Sequence, residues 1–127
     1  MTNSVVLLVE DNERNLKLAR DVLEYAGFTV LVAMTGEEAV ARAQVASPDL
    51  ILMDLQLPGI DGHAALSLLR DDARTSDIPV VALTAFAMAK DRDRAMAAGF
   101  DGYLEKPIDV RRFPHQVREH LRTEGPR

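Results

Sequence analysis

Asp49-Leu50-Ile51-Leu52-Met53-Asp54 runs on into Leu55-Gln56-Leu57-Pro58-Gly59, so a short apolar run stops on a carboxylate just before a turn. A run this short, with Pro58-Gly59 turning the chain behind it, predicts a strand buried on both faces. An aspartate that directly continues such a run is unusual unless it is paired or binds a metal. The pattern recurs on either side. Val5 to Val9 runs into Glu10 and Asp11, Val80 to Leu83 into Thr84, and Tyr103-Leu104, across Glu105, into Lys106. If these runs are neighbouring parallel strands, one end of the sheet gathers three acids, a hydroxyl and an ammonium group. Open α/β sheets bind their ligands at that end. Such a collection suits the acceptance of a phosphoryl group.

Longer amphipathic stretches separate the runs, the pattern of repeated β-α units around a parallel sheet. A helix is expected from about Asn12 to Ala26, with Leu16, Ala19, Leu23 and Ala26 at helical spacing and Gly27 closing it. Thr29 to Ala33 reads as the next strand. Gly36 to Ala46 reads as its helix, with Glu37-Glu38 in the favoured first turn and Ser47-Pro48 as the break. After the Pro58-Gly59 turn, about Asp61 to Arg70 is helical with Ala64, Leu68 and Leu69 expected inward, and a polar loop spans Asp71 to Asp77. Pro79 opens the fourth strand, about Ala87 to Ala98 is helical until Gly99, and the last strand is about Gly102 to Leu104. The final helix should begin near Asp109. Pro114, costing about 3 kcal/mol in a helix interior, predicts a late start or an irregular first turn.

Five such units fit a doubly wound, flavodoxin-like (βα)5 fold with a parallel sheet in the order 2-1-3-4-5. That order sets the first and third strands side by side, so Glu10, Asp11 and Asp54 meet at the switch point with Thr84 and Lys106 beyond. Three acids in a partly desolvated cleft repel one another unless a cation sits among them, and a hard, oxygen-liganded Mg²⁺ is the natural one.

The chain has 127 residues, about one domain, which leaves no room for an effector domain. We read residues 1–127 as a single domain with its core at about 4–121 and a tail at 122–127. Hydrophobic residues at 47% and charged residues at 28% are the balance of an ordered globular protein. No apolar stretch approaches a bilayer span and the first residues lack a secretory signal, so a cytoplasmic location without membrane association is expected. With no cysteine there is no disulfide framework and no thiolate metal site. A formal net charge of −5 argues against nucleic acid as the principal partner.

The chain resembles the receiver domain of bacterial two-component response regulators over roughly Ser4 to Leu121. The resemblance is carried by Val9-Glu10-Asp11-Asn12, Leu52-Met53-Asp54-Leu55-Gln56-Leu57-Pro58, Ala82-Leu83-Thr84-Ala85 and Glu105-Lys106-Pro107, four motifs in receiver order and spacing. It implies that Asp54 accepts a phosphoryl group from a phosphohistidine on a histidine kinase or histidine phosphotransfer protein. It also implies that Asp11, Asp54 and the backbone carbonyl of Gln56 hold Mg²⁺, with Glu10 acting through metal-bound water. Thr84 would bond one phosphoryl oxygen and Lys106 another, and the Lys106-Pro107 peptide would be cis. A carboxylate nucleophile forming an acyl phosphate fits those residue types. Thr84 and Tyr103 would form the switch, remodelling the face of helix 4, strand 5 and helix 5 for a downstream protein target. Phe86 and Gln56 would tune attack of water on the acyl phosphate.

Within the family, Asp11-Asn12-Glu13-Arg14-Asn15-Leu16 and Thr84-Ala85-Phe86-Ala87-Met88 look most like the DivK-type cell-division regulators and the receivers of hybrid histidine kinases. Met1 and the short tail favour a stand-alone regulator, monomeric or homodimerising on phosphorylation. The alternatives are a receiver excised from a hybrid kinase, a haloacid-dehalogenase-like phosphatase, or a pseudo-receiver that only binds partners. The phosphatase would want an acid where Gln56 stands, and a pseudo-receiver would not fill all five site positions.

Each residue also has a plainer reading. Asp11 or Asn12 could cap the first helix and Thr84 the fourth, Lys106 could be a solvated lysine, and Tyr103 a half-buried aromatic. His63, His115 and His120 share no face and are expected exposed, with no metal. Met34, Met53, Met88 and Met96 are expected to pack. Arg111, Arg112, Arg118 and Arg122 read first as a solvated face and second as a docking surface for an acidic partner.

Overall fold

The computed structural model describes residues 4–85 and 88–121. In chain order the elements are β1 (Val5–Val9), α1 (Glu13–Tyr25), β2 (Thr29–Ala33), α2 (Gly36–Ala46) and β3 (Leu50–Asp54). They continue as α3 (Gly62–Arg70), β4 (Val80–Thr84), α4 (Ala89–Ala98), β5 (Gly102–Glu105) and α5 (Phe113–His120). The strands form one parallel sheet in the order β2-β1-β3-β4-β5, as expected from the alternation of apolar runs and amphipathic stretches.

Period-two alternation explains how the strands bury both faces. In β3, Leu50 and Leu52 join Ala19 and Leu23 of α1 and Phe113 and Val117 of α5 in one core. Ile51 and Met53 point the other way, into a core with Ala39 and Ala43 of α2, Ala65, Leu66 and Leu69 of α3, and Ala95 of α4. Each fully buried Leu or Ile contributes about 1.5–3 kcal/mol, so β3, buried throughout, is a main anchor of the sheet.

Most helix boundaries follow their local chemistry. Asn12 caps α1 by accepting Asn15 N–H, Thr35 caps α2 by accepting Glu38 N–H, and Asp61 caps α3 by accepting Ala64 N–H. Gly27 and Gly99 stop α1 and α4 at φ 101° and 111°. Helix α5 starts late: Phe113 is its first residue, which leaves Pro114 in the first turn, where a missing N–H costs little. The Lys106-Pro107 peptide is cis.

Several expected orientations differ. Helix α3 turns Ala65, Leu66 and Leu69 inward, while Ala64 is exposed and Leu68 stands 48% exposed. Close approach of Gly62 to the end of β3 sets that phase. His63 and His120 are half-buried instead of exposed: His63 meets Phe100 edge-to-face at 5.4 Å, and the His120 ring occupies the space left by the missing side chain of Gly102. His115 is exposed as expected. Met53 packs in the core, but Met34, Met88 and Met96 are exposed. For Met96, inside α4, the reason is that only Ala95 of that helix is buried. Arg111, Arg112 and Arg118 are exposed as the solvated-face reading expects, and Arg118 also donates to the carbonyl of Ala26 and lies 5.4 Å over the Phe28 ring. Phe86, Ala87, Arg122 and the tail lie outside the described residues. Among the described residues no helix is long and apolar enough to cross a membrane.

Candidate functional site

Sheet order brings the predicted residues together. Val9 of β1 is in register with Met53 of β3, so Glu10 and Asp11 leave β1 beside Asp54. Asp54 is in register with Leu83, and Thr84 with Glu105, which places Lys106 one residue past the edge of the sheet. One carboxylate oxygen from each of Glu10, Asp11 and Asp54 lies within 4.8 Å of the others.

The acids differ in their surroundings. Asp11 is exposed, whereas Glu10 and Asp54 are only 2% and 5% exposed. Asp54 is held at both oxygens: Oδ1 accepts the Gln56 backbone N–H at 2.9 Å and Oδ2 accepts the Lys106 ammonium at 2.7 Å. Glu10 Oε2 accepts the Asn12 N–H at 3.0 Å, and Oε1 forms an ion pair with Lys106 Nζ at 2.5 Å. That pair lacks the alignment of a hydrogen bond, which leaves Oε1 a buried oxygen with no hydrogen-bond partner. Burial pushes the Glu10 carboxyl above the usual range, and the negative charge of Asp54 adds to this, against the lowering by Lys106 and the Asn12 amide. Burial pulls Lys106 down, but its bond to Asp54 and its ion pair with Glu10 outweigh that, so its pKa is raised and it stays charged.

The capping readings separate here. Asn12 serves as the α1 cap, which leaves the Asp11 carboxylate with the other two acids. Met88, not Thr84, stands at the cap position of α4. Instead Thr84 ends β4 at 1% exposure, and its carbonyl accepts Lys106 N–H at 2.8 Å, tying the lysine's backbone to the same strand end. Tyr103 is half-buried on β5 with the Arg92 guanidinium 5.7 Å from its ring centroid. Beside the acids a cavity opens between α1 and the segment after β5, lined by Asn15, Leu18, Lys106 and Ile108 among others. Sequence reading had no signal for the amide clamps from Asn12 and Gln56, since a backbone donor leaves no trace in residue type.

Three clustered oxygen-donor acids, two of them sharing a single lysine and one with a buried oxygen that no hydrogen bond satisfies, fit a hard divalent cation of the Mg²⁺ kind. A doubly wound sheet whose switch point carries that set defines a class of signalling domain. The chain belongs to the response regulator receiver domain family, whose model matches residues 6–118.

Relatives narrow the comparison. The polar-differentiation response regulator DivK of Brucella ovis is 45% identical over 121 residues, covering 95% of this chain and 98% of the relative. The namesake from Brucella anthropi is 44% identical over 116 residues, covering 91% and 94%. Among solved structures, the chemotaxis response regulator CheY4 of Vibrio cholerae superposes with a TM-score of 0.89 at 28% identity, covering 94% of this chain and 100% of that one. The receiver domain of sensor histidine kinase PA1611 from Pseudomonas aeruginosa, solved with a magnesium ion coordinated in its active site cleft, superposes at 0.86 with 33% identity, covering 94% and 98%.

Proposed function

We propose that this protein is a stand-alone, cytoplasmic response regulator that accepts a phosphoryl group on Asp54 from a phosphohistidine of a histidine kinase or phosphotransfer protein. It signals by protein–protein contact through the face of α4, β5 and α5, without nucleic acid or membrane, as a monomer or a phosphorylation-dependent homodimer. The observation that carries the reading is the state of Asp54: a 5% exposed carboxylate at the end of β3, beside two further acids and a lysine 2.7 Å away. The 45% identity to the DivK relative supports the stand-alone role.

Asp11, Asp54 and the backbone carbonyl of Gln56 would hold Mg²⁺, with Glu10 acting through water, as the donor set and the magnesium in the PA1611 receiver suggest. When bound, the ion supplies positive charge against the phosphoryl oxygens and the clustered acids. The remaining work falls to this chain's own residues. A carboxylate oxygen of Asp54 forms the new O–P bond as the P–N bond to the partner's imidazole breaks, and the imidazole takes back the electron pair. Lys106, kept charged by Glu10 and Asp54, is poised to pair with a phosphoryl oxygen. The Thr84 hydroxyl is to bond a second, and its movement with Tyr103 is to bias the signalling face by about 1–3 kcal/mol.

Incubation with acetyl phosphate and Mg²⁺ should add one phosphoryl group, located on Asp54 by mass spectrometry, with no labelling of Asp54→Asn or after chelation. Labelling that survives in Asp54→Asn would overturn the assignment. Steady phosphate release from small phosphoesters would favour the phosphatase instead. The likeness to a kinase-borne receiver supports a second reading, a receiver cut from a hybrid kinase. Immunodetection in the source cells separates the two, with a species of about 14.0 kDa for the stand-alone regulator and a much larger one for the hybrid.

A further inference from the structure

The loop between β3 and α3 is gripped from two sides by contacts that leave no room for a side chain. At its far end, Gly62 N–H donates to the Leu55 carbonyl at 3.3 Å, and a Cβ on Gly62 would come 2.8 Å from the carbonyl oxygen of Asp54. Backbone thus rests directly on the backbone of the candidate phosphoacceptor. From the other side the start of α2 reaches in. A Cβ on Gly36 would lie 2.7 Å from Ile60 Cγ1 and 2.9 Å from the Ile60 carbonyl oxygen.

Glu37, the next residue, makes the polar half of this grip. Its Oε2 accepts the Ile60 N–H at 3.4 Å. The same carboxylate fills the space where residue 59 would otherwise carry a side chain, with Oε2 only 2.8 Å from the Cβ position of Gly59. Gly59 holds φ 76°, a conformation that glycine adopts without strain. The loop is therefore held at 55, 59, 60 and 62, and Gln56 lies within the span that the Gly62–Leu55 bond closes. Glu37 also sits in the first turn of α2, where the helix dipole favours its negative charge. Its neighbour Glu38 faces elsewhere, accepting Met34 N–H and Arg42.

We propose that Glu37 is a positioning residue for cation binding: by clamping residues 59 and 60 it sets where the loop presents the Gln56 carbonyl to Mg²⁺ beside Asp54. This rests on the reading of Asp54 as an Mg²⁺-dependent phosphoacceptor and adds a residue from α2, outside the acid cluster, to that site. Glu37 touches neither the cation nor the phosphoryl group. Its effect passes through the loop.

The test is Mg²⁺ titration of the full chain by calorimetry, without phosphodonor, on the wild type, Glu37→Gln, Glu37→Ala and Glu38→Gln, with amide exchange at Ile60 followed by NMR. Loss of one net hydrogen bond predicts about a two- to tenfold weaker Mg²⁺ affinity for Glu37→Ala, with faster Ile60 exchange. Glu37→Gln keeps an acceptor oxygen and should retain most of the affinity, and Glu38→Gln should match the wild type. In labelling from acetyl phosphate, Glu37→Ala should raise the Mg²⁺ concentration for half-maximal rate by the same ratio and leave the rate at saturating Mg²⁺ unchanged. Glu37 is exposed, so the variants should fold, and unchanged far-UV circular dichroism checks this. Wild-type affinity in Glu37→Ala would overturn the inference. So would an equal loss in Glu37→Gln and Glu37→Ala, the mark of a plain charge effect. A wild type that neither binds Mg²⁺ nor is labelled would instead sink the phosphoacceptor reading itself.

Discussion

Both ends of the sheet carry carboxylates, but the two ends treat them differently. At the end where β1 and β4 begin, each acid meets the first free amide of a strand: Asp49 Oδ2 accepts Val5 N–H and Asp101 Oδ2 accepts Val80 N–H, both at 2.8 Å. Arg70 completes that end, pairing with Asp101 at 2.8 Å and donating to the carbonyls of Ser76 and Ile78. Buried Thr75 closes the same loop region by donating to the Leu69 carbonyl at 2.6 Å. At the opposite end Glu10, Asp11 and Asp54 have one lysine among them and a buried oxygen with no hydrogen-bond partner. A matched set of polar groups stabilises the fold, whereas a set short of positive charge stores a demand that a ligand can meet.

The contrast can be broken experimentally. The largest expected effect is ligand linkage: Mg²⁺ at a hundredfold excess over its Kd should stabilise the wild type by about 2.7 kcal/mol, and Asp54→Ala by much less at the same concentration. Thermal melts with and without Mg²⁺ measure this, and equal shifts in the two proteins would show that the ion binds elsewhere.

Next in size is a change at the matched end. Asp101→Ala strips partners from both Arg70 and the amide of buried Val80, and should cost about 2 kcal/mol by urea unfolding. Its Mg²⁺ affinity should stay that of the wild type. A shifted affinity would mean that the two ends are energetically linked.

The smallest effect has the opposite sign. Glu10 has a raised pKa, so its charged form is held less well in the folded protein than in the unfolded chain, and its contribution worsens as pH rises through the folded value. Glu10→Gln should therefore gain stability at pH 7, by less than Asp101→Ala loses. The gain should fade as pH drops below the ordinary value of 4.5. Melts across pH check this, and a loss of stability at pH 7 would show that the pair with Lys106 outweighs the cost of burial.

How legible each end was in the sequence follows from the same difference. The acid-rich end announced itself because apolar runs end directly on Glu10-Asp11, Asp54 and Thr84, so these could be placed once the strands were recognised. The matched end gave no such sign. Arg70 and Asp101 are 31 residues apart, and nothing local marks either as the other's partner. Helix α3 shows a related gap: its 3.6-residue period was readable, but which residues face the sheet depended on Gly62 settling against Asp54.

What the amino-acid sequence determined on its own is the set of strands and helices, their parallel order and the chemical character of one sheet end. Those follow from the spacing of apolar residues, from caps and breakers, and from the handedness of β-α-β connections, all of them short-range constraints. Tertiary structure alone decided that one lysine serves two buried acids, that Glu37 grips the loop behind Asp54, and that His63 and His120 lie half-buried. Each of these joins elements distant in the chain or turns on the presence or absence of a neighbour's side chain, and such proximity exists only after the helices have packed on the sheet.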